Sequence, residues 1–518
     1  MEIWEGAPYR DFRYRYRAGE VPECRTCPWK KAYLPGPLAS EIIGSRGRSA
    51  QLVHGWHDPA AEPHVWSSQQ AMALLAPRPG AGTLHVSGVL PPGPDGQANE
   101  LAVRCNGNEI GKVDNPRRES MRFGIDLPVD GDSDGSWCIE FRTRHLYRPS
   151  ERGAGTDRRD LGFALALLGS KYVADPRVVA ARKKALESLL EWVRRIDRFG
   201  RNLPRRRGRA AAALGPGLSV VIPERENPGE LAACLESLRE AAARFPEPVE
   251  VVVVVNGSPP SDYEALRHAY PDIRWQFYAQ PLGFAGAVAA GLRQAHFDWV
   301  YLLNNDMALD AEAFRALAPL RDASTFAISS QVFLKDPTRF REETNWGALL
   351  IDDGLATIHD WILRTDRTVE TFYSGGGASM FQRRLLRAFL DPPAYAPFYW
   401  EDVEWGWRAR KHGYRCLICP ASVAHHRHRA TIGRCYEGAE IERVTLRNRF
   451  VFQLRNFLTA GSLERLVEEI AQSPEPVVDF VLSRAALWKV ARGRVWNHRA
   501  PLADEEVLAA WESAISNC

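Results

Sequence analysis

The chain has 518 residues, too many for a single hydrophobic core, so two or three domains are expected. Composition is ordinary globular, 45% hydrophobic and 25% charged with a formal net charge of +3, which excludes the strongly basic balance of a nucleic-acid-binding domain. Nine irregularly spaced cysteines exclude a disulfide framework, and no run approaches the ~20 apolar residues of a membrane span.

Met1-Glu-Ile-Trp-Glu-Gly lacks the basic-then-apolar layout of a signal peptide. The expected location is therefore cytoplasmic, with peripheral contact at the inner face of the plasma membrane left open. Residues 1–50 form an irregular segment rich in Arg, Tyr and Pro. Its Cys24-Arg-Thr-Cys27 lacks the second pair that a zinc or iron–sulfur site needs, so no metal role is expected there.

Residues 51–172 read as an all-β sandwich of the jelly-roll kind. Short alternating runs such as Leu84–Leu90 and Trp137–Phe141 are separated by Gly/Pro/Asp turns, and Asn106-Gly107 is a two-residue hairpin signal. Trp56 and Trp66 are open to two readings, as core residues or as platforms for sugar rings. Residues 173–217 read as a helix and a linker: Val178, Ala181, Ala185, Leu189, Trp192 and Ile196 recur at helical spacing before the basic run 205–209. A solvated linker is the simpler account of that run, contact with anionic headgroups the alternative.

From Leu218 the texture changes to βαβ. Leu218–Ile222 and Val249–Val255 are buried strands around an amphipathic helix, which predicts a parallel sheet. Asn256-Gly-Ser258 forms the turn where a nucleotide would rest. Leu282–Gly291 opens a helix with glycines, which suits phosphate at a helix N-terminus and tight helix–strand packing equally. The run Trp299–Leu303 ends in Asn304-Asn305-Asp306, polar groups delivered to a crevice at a strand end. Downstream come Ser374-Gly-Gly-Gly-Ala-Ser-Met380, Trp400-Glu-Asp-Val-Glu404 and a late His425. Cys416 and Cys419 cannot easily chelate, because residues three apart on a strand face opposite sides. Residues 459–518 carry helical patterns with Trp and basic residues, which suit packing on the preceding α/β domain or the membrane interface.

Residues ~218–457 resemble the inverting GT-A glycosyltransferases of family two, including rhamnosyl- and galactofuranosyltransferases of bacterial surface polymers. The resemblance rests on Val220-Val-Ile-Pro223, Asn256-Gly-Ser258, Gly283-Phe-Ala-Gly-Ala287, Leu303-Asn-Asn-Asp306, the Ser374–Met380 loop, Trp400–Glu404 with Arg408, His425 and Arg447-Asn-Arg449. The sandwich, from Gly55-Trp56 to Gly162-Phe163, resembles a module attached to some of these enzymes. The implied fold is an α/β GT-A (Rossmann-like) domain over 218–458, with the N-terminal sandwich and a C-terminal helical region, 459–518.

The resemblance implies a nucleotide-sugar donor, a glycan or glycolipid acceptor, and Mn2+ or Mg2+ as cofactor. Asp306 and His425 would hold the cation, with His426 as the register alternative. Asp402 would be the general base and Glu401 its competitor. Pro223, Arg225, Glu226, Asn256, Gly283, Asn304 and Asn305 would line the donor. Gly375, Gly376, Gly377, Trp400 and Glu404 would meet the acceptor. Three departures bear on donor identity: Val255 stands where an acidic residue is usual, Glu224–Asn227 replaces the usual first nucleotide loop, and the Asn expected near Ala289 is missing. A catalytically degenerate glycan-binding or scaffolding protein is therefore the alternative, and a nucleotidyltransferase a weaker one.

Overall fold

The structure is a computed structural model that describes residues 41–43, 49, 51–57, 65–77, 81–117, 119–129, 136–152, 158–172, 176–205, 215–334, 346–352, 355–360, 365–426, 435–436, 438–457 and 460–516. Cys24, Cys27 and most of the basic run at 205–209 lie outside them. The chain divides into two compact units, Met1–Val173 and Ala174–Cys518.

The first unit is built from Glu41–Ile43 (β1), Leu52–Trp56 (β2), Val65–Leu75 (β3), Ala81–Leu90 (β4), Asn99–Cys105 (β5), Asn108–Asn115 (β6), Met121–Pro128 (β7), Trp137–Thr143 (β8) and Ala164–Tyr172 (β9). All pairings are antiparallel. β3 begins beside β9 in one sheet, with β4, β7 and β1, and continues beside β8 and β2 in the other, with β5 and β6. The expected sandwich therefore forms, its two faces joined by one strand that changes sheets. Asn106 and Gly107 both have positive φ (50° and 87°) in the β5–β6 hairpin, as a type I′ turn demands. Trp56 is a core residue: its ring meets Phe141 at 5.8 Å and Phe163 at 5.7 Å, and its indole N–H donates to the Met72 carbonyl at 2.8 Å. That removes it as a sugar platform.

The second unit opens with helix Pro176–Arg201 (α1), followed by Leu218–Glu224 (β10), Pro228–Arg244 (α2), Val249–Asn256 (β11), Glu264–Ala269 (α3), Arg274–Tyr278 (β12), Phe284–Gln294 (α4), Trp299–Leu303 (β13), Met307–Leu309 (β14), Ala313–Leu317 (α5) and Thr325–Leu334 (β15). The hairpin Gly347–Asp352 (β16) and Leu355–Asp360 (β17) precedes Val369–Thr371 (β18), Ala378–Gln382 (β19), Arg383–Phe389 (α6), Glu401–Lys411 (α7) and Arg415–His426 (β20). Five helices close the chain: Gly438–Asn456 (α8), Ala460–Ala471 (α9), Glu475–Leu482 (α10), Arg484–His498 (α11) and Asp504–Ser516 (α12).

The large sheet runs β12-β11-β10-β13-β19-β15-β20-β14. Its first four strands are parallel, as expected; beyond β13 it is mixed, with β19 antiparallel to both neighbours. Successive residues alternate between two cores. Val220, Ile222, Val253 and Val255 pack under α2, whereas Val221, Val252 and Val254 pack under α4. Burial on both faces is why these strands read as unbroken apolar runs. Cys416 and Cys419 fall in these two different cores, on opposite faces of the sheet. A Cβ on Gly291 would come within 2.3 Å of Val221, so tight packing of α4 explains that glycine.

Helix α1 is not a spacer. Leu186, Leu189, Leu190 and Val193 share a core with Phe450 and Leu454 of α8 and Leu463 and Leu466 of α9. The C-terminal helices likewise pack on the α/β domain, with Val507 and Trp511 beside Phe372 and Trp407. The boundaries expected at 217 and 458 therefore fall inside one compact unit. No helix among the described residues is long and apolar enough to cross a membrane.

Candidate active site

Strands β10, β11 and β13 are mutually parallel, so their carboxyl ends share one edge. They deliver Glu224, Asn256 and the Asn304–Asp306 turn there. Glu224 is buried, and its carboxylate accepts from the Asn227 N–H at 2.8 Å, the Tyr263 hydroxyl at 2.8 Å and the Asn305 amide at 2.5 Å. Burial, opposed by these hydrogen bonds and aided by the charge of Asp306, pushes Glu224 above the usual carboxylate range. Asn305, expected on the donor, is thus buried and bound to Glu224, where it braces the turn. By sequence Glu224 is marked only as a departure from the usual first nucleotide loop. Its signal was a carboxylate placed at a strand end one strand away from Asp306.

Asp306 is 8% exposed, and its Oδ1 has no hydrogen-bond partner among the described residues. The His426 imidazole stands beside it, with Nε2 at 3.4 Å from Oδ1. His425 faces elsewhere: its Nε2 lies 3.1 Å from Asp310 and its side chain is 41% exposed. The reason is register. Met307 pairs with His426 and Ala308 with His425, and neighbours on a strand point to opposite faces. Of the two histidines, His426 and not His425 therefore lies beside Asp306. Among the described residues no three His, Cys, Asp or Glu side chains cluster as metal ligands. A shielded carboxylate oxygen suits an ion such as Mg2+ that is held by one or two carboxylates and completes its shell with phosphate and water.

The glycine loop ties this edge to α7. The Asn304 backbone N–H donates to the Gly377 carbonyl at 2.8 Å. A Cβ on Gly377 would stand 2.8 Å from the Asn304 side-chain Nδ2, and one on Gly376 would stand 2.8 Å from the Phe284 ring. Gly375, at the head of the loop, is half-buried. The Gly376 N–H faces Asp402 Oδ2 at 3.4 Å, a long contact, while Oδ1 accepts from the Val403 N–H at 2.9 Å. Asp402 is half-buried in the first turn of α7. Its neighbour Glu401 is 6% exposed, and burial, with the Asp402 charge second, pushes its carboxyl well above the usual range.

Two residues expected on the acceptor are structural. Glu404 is 1% exposed and binds Arg455 at 2.8 Å, Asn456 at 3.0 Å and Arg408 at 3.2 Å. It lies two residues from Asp402, about 200° round the helix. Trp400 packs on Phe452 at 5.1 Å between ring centres. Tyr399 and Trp400 both have positive φ (69° and 79°), a conformation costing about 1–3 kcal/mol per non-glycine residue. Buried Asn448, from the Arg447-Asn-Arg449 motif, holds this bend: its amide donates to the carbonyls of Tyr395 at 2.6 Å, Phe398 at 2.8 Å and Tyr399 at 3.2 Å.

On the donor side, the Asn256 side chain accepts from the Leu282 N–H at 2.6 Å and donates to the Gly283 carbonyl at 3.4 Å. Gly283 has φ 71°, and the Phe284 N–H, first of α4, is capped by the Pro397 carbonyl at 2.8 Å. One amide of the predicted phosphate-binding helix start is thereby taken. Val255 is fully buried in the α2-side core, so it contributes nothing to a nucleobase. Pro223 is half-buried within β10. Arg225 donates to the Tyr436 hydroxyl at 3.0 Å and to Glu226 at 3.2 Å, and Glu226 (φ 54°) is held by the Ser258 hydroxyl at 2.8 Å. Tyr436, which no sequence motif marked, stacks edge-on against Phe398 at 4.8 Å.

Residues 216–443 match the family model described as glycosyltransferase like family 2. The chain thus carries a glycosyltransferase family 2-like domain on a GT-A-like α/β fold. No curated protein matches. Among solved structures, GalNAc-T7 with UDP, GalNAc and Mn2+ is 14% identical over 58% of this chain and 57% of its own, with a TM-score of 0.44. The mannosyltransferase PcManGT of Pyrobaculum calidifontis, with GDP-Man and Mn2+, is 18% identical over 66% of this chain and 91% of its own (TM-score 0.33). S. aureus TarS residues 1–349 with UDP-GlcNAc is 15% identical over 57% of this chain and 92% of its own (TM-score 0.34). The matched region spans just over half of the first of these chains.

Proposed function

We propose that this protein is an inverting, metal-assisted glycosyltransferase that moves a sugar from a nucleotide-diphosphate donor to a surface-polysaccharide or lipid-linked glycan acceptor at the cytoplasmic side of the cell envelope. One observation carries the reading: the turn that ends in Asp306 is hydrogen-bonded through Asn304 to Gly377, and the next glycine in the loop faces Asp402. A candidate cation ligand and a candidate base are thus attached to one glycine-lined floor.

Asp306 and His426 would hold Mg2+ or Mn2+, which when bound offsets the charge that grows on the donor diphosphate as the glycosidic bond breaks. The acceptor oxygen attacks the anomeric carbon from the face opposite the diphosphate. Its proton passes to Asp402, the bond to the diphosphate oxygen breaks with its electron pair, and the configuration inverts. Glu401, buried and with its carboxyl pushed well above the usual range by burial and then by the Asp402 charge, is less accessible to an acceptor than half-buried Asp402. Arg225, Glu226 and Asn256 shape the donor side. The small loop 375–377 lets an acceptor approach the backbone closely.

The test is a panel of nucleotide sugars with Mn2+ and a membrane glycolipid extract, followed for nucleotide release and for the anomeric configuration of the product by NMR. Nucleoside diphosphate release with inverted product is expected. Pyrophosphate release would indicate a nucleotidyltransferase, and no release with any donor a scaffold.

A further inference from the structure

Away from this edge, α11, Arg408 of α7 and the segment Ala388–Asp391 line an open cleft of about 440 Å3. Its wall includes Asp391, Arg408, Trp488, Arg492, Trp496 and Arg499. Arg408 lies six residues beyond Asp402, about 9 Å along the helix and roughly 120° round it. The cleft is therefore on a different side of α7 from the base and is not part of the catalytic floor.

The wall carries three guanidinium groups and one carboxylate, Asp391, which meets Arg455 at 2.8 Å and Arg492 at 3.1 Å, although its Oδ1 has no hydrogen-bond partner among the described residues. Arg408, 3% exposed, reaches Glu404 at 3.2 Å and the Phe389 carbonyl at 2.6 Å, and its Cζ sits 4.6 Å from the Trp496 ring centre. The Nε groups of Arg408 and Arg499 have no acceptor among the described residues. Trp488 is 55% exposed, with Arg492 over its ring at 4.4 Å. An exposed indole beside excess guanidinium charge offers a flat apolar surface and donors for an oxyanion together.

We propose that this cleft is a second, non-catalytic site for a sugar ring bearing an oxyanion, a carboxylate or a phosphate, within a glycan. The choice of a sugar rests on the glycan-acceptor reading above. The site itself is tested by binding, so it can fail while transfer activity stands, and the reverse.

The experiment is a ligand-observed NMR titration of the full chain with trigalacturonic acid, galactose 1-phosphate, maltotriose, inorganic phosphate and UMP, repeated on Trp488→Ala and Arg492→Gln. Both side chains are substantially exposed, and an unchanged melting temperature establishes that the variants fold. Trigalacturonic acid, galactose 1-phosphate or both should bind roughly tenfold or more tighter than maltotriose, the worth of one hydrogen bond to a charged group. Both variants should lose about that factor. Binding by only one of the two charged sugars identifies the oxyanion. The proposal is overturned if maltotriose or inorganic phosphate binds as well as the charged sugars, if UMP binds tighter, if the variants bind unchanged, or if neither charged sugar binds.

Discussion

Replacing Glu404 by Gln removes the charge that two buried guanidinium groups share. Arg455 is wholly buried and Arg408 nearly so, and Glu404 lies within 3.2 Å of both. Burial pushes the Glu404 carboxyl up, but the Arg408 and Arg455 charges and the hydrogen bonds from Arg455 and Asn456 outweigh it and hold it down at about 2. Set against an ordinary value near 4.5, that depression corresponds to roughly 3 kcal/mol of stability at neutral pH. Loss of one partner from a buried pair gives a similar ~3–5 kcal/mol. For a unit of about 345 residues, with an unfolding entropy near 2.1 cal/mol/K per residue, ~3 kcal/mol is a fall of about 4 °C in melting temperature. The sign is that of a depressed carboxylate: its contribution is fully present above pH ~4.5 and is lost as pH falls towards 2, with about half remaining at pH 3. Thermal melts of wild type and Glu404→Gln at pH 7 and pH 3 should therefore show a gap that narrows in acid. An unchanged melting temperature at pH 7, together with a raised KM for the acceptor, would refute the structural role and return Glu404 to the acceptor site.

Three further outcomes follow from the same geometry. His426→Ala should raise the Mn2+ concentration needed for half-maximal activity by about tenfold or more, while His425→Ala should leave it unchanged; a metal titration of both variants decides the register. Gly376→Ala and Gly377→Ala should each lower kcat by roughly 100-fold with little change in melting temperature, because a Cβ 2.8 Å from Phe284 or Asn304 displaces the floor next to Asp402. Tyr263→Phe should cost about 1 kcal/mol in denaturant unfolding, the loss of one of three hydrogen bonds to buried Glu224.

The α/β architecture was legible because both faces of β10, β11 and β13 are buried, which leaves apolar runs that end abruptly in polar groups. Asp306 was legible for the same reason, at the end of such a run, whereas the choice of Asp402 over Glu401 came from the family resemblance, since sequence alone does not separate neighbouring carboxylates. The choice between His425 and His426 was not legible, since it depends on the antiparallel partner β14, a strand of three residues that no local pattern announces. Glu404 was misplaced for a different reason. The helix start at Glu401 was in the sequence, and helical spacing alone turns residues 402 and 404 away from each other. The roles of Asn448, as a clamp on the 395–399 carbonyls, and of Arg455, between Asp391 and Glu404, come from contacts about 50 residues apart or more. An amphipathic stripe on the C-terminal helices could not say what covers it; packing on α1, α8 and the Trp407 side of α7 answers that.

The central claim, that Asp306 and Asp402 serve one reaction from one floor, is tested most directly by acceptor-dependent nucleotide release in Asp402→Asn. With a donor that the wild type uses, saturating Mn2+ and unchanged melting temperature, the rate should fall by about 100-fold or more, as expected for loss of a general base, while donor binding in the presence of Mn2+ is retained. A rate within a fewfold of wild type would contradict the account.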